Sequence, residues 1–365
     1  MNNKFTIALD CMGGDKAPQI VIEGADIIAS KNYNVHFLFF GNEKKITTIV
    51  NHCRYLKGRF DLIHTDEEVP ADEKPSVALR KLTKSSMRLA IDSVKDGKAQ
   101  AIISAGNTGA LMAIAKVVLR PLPSIDRPAI VTSIPCKNKN GTVFLDMGAN
   151  IECDSAVLFQ FAVMGRAFAK ATLKIDNPKI GVLNVGSEEL KGHEHVKNVA
   201  NILRNSELKN DFYGYVEGDD ILKGTVDVVV TDGFTGNVTL KSIEGTVKFI
   251  TSIVKEGFTA SIWSKIGYLF SAHSLSLATK KIDPRMHNGA MLVGLNGVAV
   301  KSHGSTDSLG FSNAIKVAIS LLENKINEKI ISEIQANQTA ISNALNLTNT
   351  NNTSENNSDK PQDTK

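Results

Sequence analysis

Five apolar, β-rich runs along this chain each stop in a short loop of small and polar residues. They are Phe5 to Leu9 before Asp10-Cys11-Met12-Gly13-Gly14-Asp15, Ala101 to Ile103 before Ser104-Ala105-Gly106-Asn107-Thr108-Gly109, and Ile180 to Val185 before Gly186-Ser187-Glu188-Glu189. The other two are Val226 to Val230 before Thr231-Asp232-Gly233-Phe234-Thr235-Gly236-Asn237, and Val298 to Val300 before Lys301-Ser302-His303-Gly304-Ser305-Thr306. Continuous apolar runs separated by helical patterns predict a mostly parallel sheet covered on both faces, a three-layer α/β/α fold. Ligands on such sheets bind beyond the carboxyl ends of the strands. Glycines there let backbone N–H groups come close, and a helix start favours an anion. The chain therefore reads as an enzyme that holds a phosphate or carboxylate group at a cleft.

The stretches between these runs predict helices over 17–30, 42–51, 75–94, 107–119, 155–171, 195–203, 237–255 and 307–333. Further strands are expected at 35–40, 60–64 and 212–216, and 290–300 is strand-rich. Asn140-Gly141 between Ala129–Ile134 and Thr142–Asp146 predicts a hairpin that adds an antiparallel piece. Segment 256–288 breaks the alternation. Phe258, Ile262, Ile266, Leu269 and Phe270 fall there at helical spacing beside the only tryptophan, Trp263, with Lys255, Lys265, Lys280, Lys281 and Arg285 around them. Such a face suits an anionic membrane, an acidic carrier protein, a dimer contact or plain core packing. Residues 1–333 read as one catalytic domain that includes this segment. The Asn/Thr/Ser-rich stretch 334–365 buries too little to offset its ordering entropy and reads as a disordered tail.

Composition narrows the function classes. A net charge of +4 without a basic block argues against nucleic acid. Cys11, Cys53, Cys136 and Cys153 share no metal-like spacing and read as the reduced thiols of a cytoplasmic protein. The chain enters a strand at once, so no signal peptide is expected, and no apolar run is long enough to span a bilayer. Neither a GxGxxG nor a GxxxxGK pattern occurs, which weakens nucleotide-enzyme readings.

Each loop has a functional and a plainer reading. Asp10, Gly13, Gly14 and Asp15 form a candidate ligand loop, or a tight turn that leads through Pro18 into a helix. Ser104, Gly106, Asn107, Thr108 and Gly109 offer hydroxyls, an amide and flexible backbone to an oxyanion or phosphate, or simply cap a helix. Asn184 and Lys191 suit an anion, or belong to a solvated charged turn. Asp232, Gly236 and Asn237, with Lys241 one turn later, make the richest loop. His303 adds a titratable group, although a lone histidine is more often only hydrogen-bonded. His193 and His195 lack partners for a metal and read as a helix-start pair, so no metal site is predicted.

Five motifs taken in order carry a resemblance: Met12-Gly13-Gly14-Asp15-x-Ala17-Pro18, Ser104 to Ala113, Leu183 to Gly192, Val228 to Lys241 and Gly294 to Ser305. Over about residues 4–332 the chain resembles the bacterial phosphate acyltransferases of phospholipid synthesis. That resemblance implies a fold similar to phosphotransacetylases and isocitrate/isopropylmalate dehydrogenases, a homodimer, and no cofactor. It implies transfer of a long-chain acyl group from acyl-(acyl-carrier-protein) to inorganic phosphate. The labile acyl-phosphate would pass to a membrane acyl-phosphate:glycerol-3-phosphate acyltransferase, with peripheral membrane contact through Phe258, Ile262, Trp263, Ile266, Leu269 and Phe270. Lys16, His193 and His287-Asn288-Gly289-Ala290-Met291 depart from the family's usual residues.

The chemistry fits these residue types. Phosphate near neutral pH is already partly dianionic, and a thiolate leaves without obligatory protonation. Catalysis then needs a held dianion, an aimed carbonyl and a stabilised oxyanion rather than a Ser-His-Asp triad. Asn107, Thr108, Asp232, Asn237 and His303 are the expected catalytic residues. Asp10, Gly13, Gly14, Asp15, Ser104, Gly106, Gly109, Asn184, Lys191, Gly236 and Lys241 are expected at the substrate. Three alternatives stay open: a short-chain enzyme using acyl-CoA, a dehydrogenase of the same fold, and a non-catalytic scaffold for carrier protein and membrane.

Overall fold

Strand β1 (Phe5–Asp10) shows why the sheet needs helices on both sides. Ile7 and Leu9 enter one apolar core and Ala8 the other, as alternating side-chain directions require. The computed structural model describes residues 5–31, 33–137, 141–342 and 344. After β1 come α1 (Gln19–Ser30), β2 (Val35–Gly41), α2 (Glu43–Val50), β3 (Phe60–His64), α3 (Pro75–Lys81), α4 (Ser86–Lys95), β4 (Ala101–Ser104) and α5 (Thr108–Leu119). Next are β5 (Ala129–Ile134), β6 (Thr142–Leu145), α6 (Ser155–Thr172), β7 (Ile180–Leu183), α7 (Glu194–Arg204), β8 (Phe212–Val216), α8 (Gly218–Lys223) and β9 (Val228–Val230). The chain ends in α9 (Gly233–Thr259), α10 (Ile262–Ile282), β10 (Ala290–Val293), β11 (Val298–Lys301), α11 (Ser308–Glu323) and α12 (Ile326–Ala336).

The strands form one sheet in the order β3-β2-β1-β4-β11-β10-β5-β6-β9-β7-β8. β3, β2, β1, β4 and β11 are mutually parallel, as are β6, β9, β7 and β8. Three antiparallel pairings, β11–β10, β10–β5 and β5–β6, join the two blocks. An odd number of reversals sets the blocks in opposite directions. The hairpin expected around Asn140-Gly141 is therefore the β5–β6 junction between them; its turn residues 138–140 lie outside the described residues.

Several expected boundaries move. The helix expected over 75–94 is two helices. The chain leaves helical geometry at Leu82 (ψ 52°) and restarts where the Ser85 hydroxyl accepts from Arg88 N. The helix expected over 307–333 also divides, because Lys325 takes a left-handed conformation (φ 51°) between α11 and α12. Order continues past residue 334: α12 buries Ile330 and Ile334, and Ile341 and Ala344 are buried beyond it. Residues 345–365 of the expected tail lie outside the described residues. The short helix α8 was not expected.

A largely buried charge network fastens the C-terminal helix. Arg166 on α6 pairs with Asp211 at 2.7 Å and with Glu333 on α12 at 2.5 Å, and Lys170 reaches Glu333 at 2.8 Å. Helices α9 and α10 form a hairpin in which Phe258 meets Tyr268 edge-to-face. Most of their apolar side chains stay exposed, including Phe249, Ile262, Trp263, Leu269 and Phe270. No helix among the described residues is long and apolar enough to cross a membrane.

Candidate active site

Parallel pairing of β1, β4 and β11 brings their three following loops together. Gly14 takes φ +109°, and a Cβ there would meet Ala105 and the Gly304 carbonyl. At Gly13 a Cβ would collide with the Gly106 backbone. Asp15 N donates to Gly304 O at 3.0 Å and locks the first loop to the third. These glycines thus serve close loop packing, a different use from the ligand contact expected of them.

Asp10 and Ser104 lie beneath these loops. Both are buried, and Asp10 accepts from the hydroxyls of Ser86 and Ser104 at 2.6 Å each. Burial raises the Asp10 carboxyl above its ordinary value, against the hydrogen bonds that lower it. The Ser104 hydroxyl also accepts from Gly106 N. Both side chains brace the floor of the site through these hydrogen bonds.

Above this floor opens a cleft of about 580 Å³, bordered by α5, β5, α9, the segment before β10 and the β11 loop. Four of the expected residues line it: Thr108, Asn237, Lys241 and His303. Asn107 stands behind Thr108. Its Oδ1 accepts from Ala110 N, and its Nδ2 donates to the carbonyls of Ala71 and Glu73 at 2.9 Å each. Asn107 is therefore a helix cap and loop clamp. The next two backbone N–H groups, on Thr108 and Gly109, find no acceptor among the described residues. Gly109 itself stacks against Pro75.

Cations gather on the opposite wall. Lys241 pairs with Glu244 at 2.8 Å, and Arg285 with Asp283 and Asp307. Lys301 lies deeper, and burial pushes its ammonium down to about 8. Burial also lowers the His303 imidazole, whose Nδ1 meets the Ser305 hydroxyl at 3.1 Å. Asn288 holds this loop in place: it accepts from His303 N at 2.9 Å and donates to Ser302 Oγ and Gly310 O at 2.8 Å each. Ile130, Met147, Leu240 and Ala290 add an apolar surface to the same cleft.

The remaining expected residues are not among those lining the cleft. Asp232 caps α9 by accepting from Thr235 N and Oγ1 at 2.8 Å each, which starts the helix four residues before the expected Asn237. Gly236 packs on the Asp146 carbonyl, where a Cβ would have no room. Asn184 Nδ2 donates to Lys191 O, and the exposed Lys191 pairs with Glu188. His193 and His195 stack at 5.3 Å; burial, and then the His193 charge, lower the His195 pKa.

Three structural contributors were missed in the sequence. Asp146 is buried and accepts from the backbone N–H groups of Ile130, Gly148, Ala149 and Asn150. The apolar run Val143 to Leu145 ending in Asp-x-Gly was its signal, the same one used for the other loops. Lys301 opens the last of the five loops, yet its burial was not visible there. Asn288 appeared only as a family departure.

The fold is first of all that of the phosphotransacetylases. The chain is similar to a phosphotransacetylase from Streptococcus pyogenes with TM-score 0.58 and 16% identity, covering 89% of this chain and 94% of that one. At the level of sequence, residues 5–329 match the family described as fatty acid synthesis protein. The chain is 50% identical over 333 residues to a phosphate acyltransferase of Paramagnetospirillum magneticum, covering 91% of this chain and 95% of that protein. It is 47% identical over 333 residues to one from Ehrlichia ruminantium, covering 90% and 97%. The chain belongs to the phosphate acyltransferase family and is an acyltransferase.

Proposed function

We propose that the protein moves a long-chain acyl group from acyl-(acyl-carrier-protein) to inorganic phosphate. The observation that carries this reading is a single cleft that joins a free helix N–H group and cations to an apolar wall. Phosphate and a fatty thioester need those two surfaces side by side. A phosphate oxygen attacks the thioester carbonyl, forming a C–O bond. The Thr108 N–H, at the start of α5, stabilises the oxyanion. The C–S bond then breaks, releasing acyl-phosphate and the carrier thiolate. Burial lowers the His303 pKa and so favours the neutral imidazole, which acts on phosphate through its ring N–H rather than as a charge.

Exposed Lys248 and Arg285 at the cleft support docking of an acidic carrier. The exposed apolar residues of the α9–α10 hairpin, with Lys255 and Lys265, support peripheral contact with an anionic membrane, where a labile product is consumed. Phe258 is the least suited of the expected contact residues, since Tyr268 partly covers it. The side chains of Lys280 and Lys281 lie outside the described residues.

The test measures phosphate-dependent thiol release from palmitoyl-(acyl-carrier-protein) by Asn237→Ala and His303→Ala. Each should lose about 10- to 100-fold in kcat/KM, the scale of one lost positioned hydrogen-bond donor or acceptor. Full activity would remove that residue from the mechanism.

A further inference from the structure

We infer that Lys301 binds the phosphate co-substrate at the floor of the cleft, with its ammonium facing the dianion. The inference rests on the phosphate-transfer reading above and names the residue that holds this substrate. Lys301 ends β11 and pairs in register with Ser104, so it stands at the meeting point of the three loops. Its Nζ donates to Ala105 O at 3.3 Å and to the carbonyl of Ser302. An ammonium has three donors, and among the described residues the third has no acceptor. No described carboxylate forms an ion pair with it. The nearby acid Asp10 is already committed to Ser86 and Ser104, and Asp15 is exposed.

This separates Lys301 from the other cations of the cleft. Lys241 and Arg285 carry their own carboxylates, and Lys248 is exposed, where a charge needs no partner. Lys301 alone among these four is a largely buried charge with no ion-pair partner among the described carboxylates: its hydrogen bonds go to neutral carbonyls, and Asp10 and Asp15 act on it only from beyond ion-pair distance. Such a charge is expensive in isolation, and a bound dianion offsets that expense. The depressed ammonium pKa is the mark of the same imbalance. Part of the side chain stays open to the cleft, on the side where the dianion would sit.

The test compares wild type with Lys301→Met in initial rates over a range of phosphate concentrations. The KM for phosphate should rise about 10- to 100-fold, the scale of one charge-assisted hydrogen bond, while the KM for the acyl donor stays within about twofold. Lys301→Arg should recover part of the phosphate affinity. Independently of turnover, inorganic phosphate should raise the Tm of wild type saturably and that of Lys301→Met only at about 10- to 100-fold higher phosphate. Lys301→Gln serves if the methionine variant does not fold. An unchanged phosphate KM, or an unchanged phosphate-induced Tm shift in a folded variant, overturns the inference. If wild type shows no phosphate-dependent thiol release, the functional reading fails instead, and the Tm comparison still decides whether Lys301 holds the anion.

Discussion

Lys301 and Asp10 sit within one floor and carry opposite demands. Asp10 is satisfied by hydroxyls and braces the loops, whereas Lys301 lacks an anion until substrate arrives. The free protein should therefore gain stability when Lys301 becomes Met, by about 2 kcal/mol in urea unfolding, as for other buried charges replaced by apolar side chains. The pH dependence has a definite sign. Asp10 and Asp15 from the first loop and Lys241 from α9 face the ammonium. Burial lowers its folded pKa to about 8, below the ordinary lysine value, against the two carboxylates, which raise it. Between these two values the unfolded chain binds more protons than the folded one, so this group makes stability rise with pH. Wild type should gain on Lys301→Met across that window; a constant difference would mean that Lys301 does not titrate there. Asn288→Ala should cost about 2–3 kcal/mol, since it strands His303 N and Ser302 in a buried loop. At this scale sequence showed which loops mattered but not which side chains faced the ligand. Ser104 and Thr108 look alike as hydroxyls in one motif, and only the packing of β1 on β4 buries the first and exposes the second.

The elements were legible wherever local chemistry decided them. Helix α2 begins at Asn42 and α5 at Asn107, both with side chains that cap the first turn. The breaks inside 75–94 and 307–333 escaped notice because apolar spacing runs through them, and backbone geometry at Leu82 and Lys325 depends on what each helix packs against. The same dependence explains the C-terminus. Asn-rich composition suggested disorder from 334, yet Glu333 on α12 is drawn onto α6 by Arg166 and Lys170. Glu333→Ala should destabilise the protein by about 3 kcal/mol in thermal or urea unfolding, because it takes from Lys170 its ion-pair partner and leaves the half-buried Arg166 with Asp211 alone. A loss under 1 kcal/mol would show that α12 is held by its apolar face alone. The α9–α10 hairpin makes the opposite case. Its apolar residues were visible in sequence, but their exposure was not. Trp263→Ser with Phe270→Ser should reduce binding to anionic liposomes about tenfold or more and leave thiol release in solution intact. Unchanged liposome binding would refute the membrane contact.

At the scale of the whole molecule, the five loops do not share one end of a uniformly parallel sheet. The strand type and the hairpin at 129–146 were readable because apolar runs and an Asn-Gly turn are local signals. Strand order and the opposed directions of the two blocks are set by pairings distant in sequence, such as β4 with β11 and β6 with β9. For that reason the expected site was too broad. It gathered the loops after β7 and β9 with those after β1, β4 and β11; the cleft takes its lining from the β4–α5 junction, from α9 at and beyond Asn237 where the β9 loop ends, and from the β11 loop, but not from the loops after β1 and β7. The central claim is that this cleft makes an acyl-phosphate from a carrier-bound thioester. The most direct measurement incubates the protein with palmitoyl-(acyl-carrier-protein), with and without inorganic phosphate, and traps the product with hydroxylamine. Thiol release and hydroxamate that both require phosphate, with palmitoyl-CoA a poorer donor, are the predicted result. Thiol release without phosphate, or phosphate-dependent release only from short-chain acyl-CoA, would contradict it.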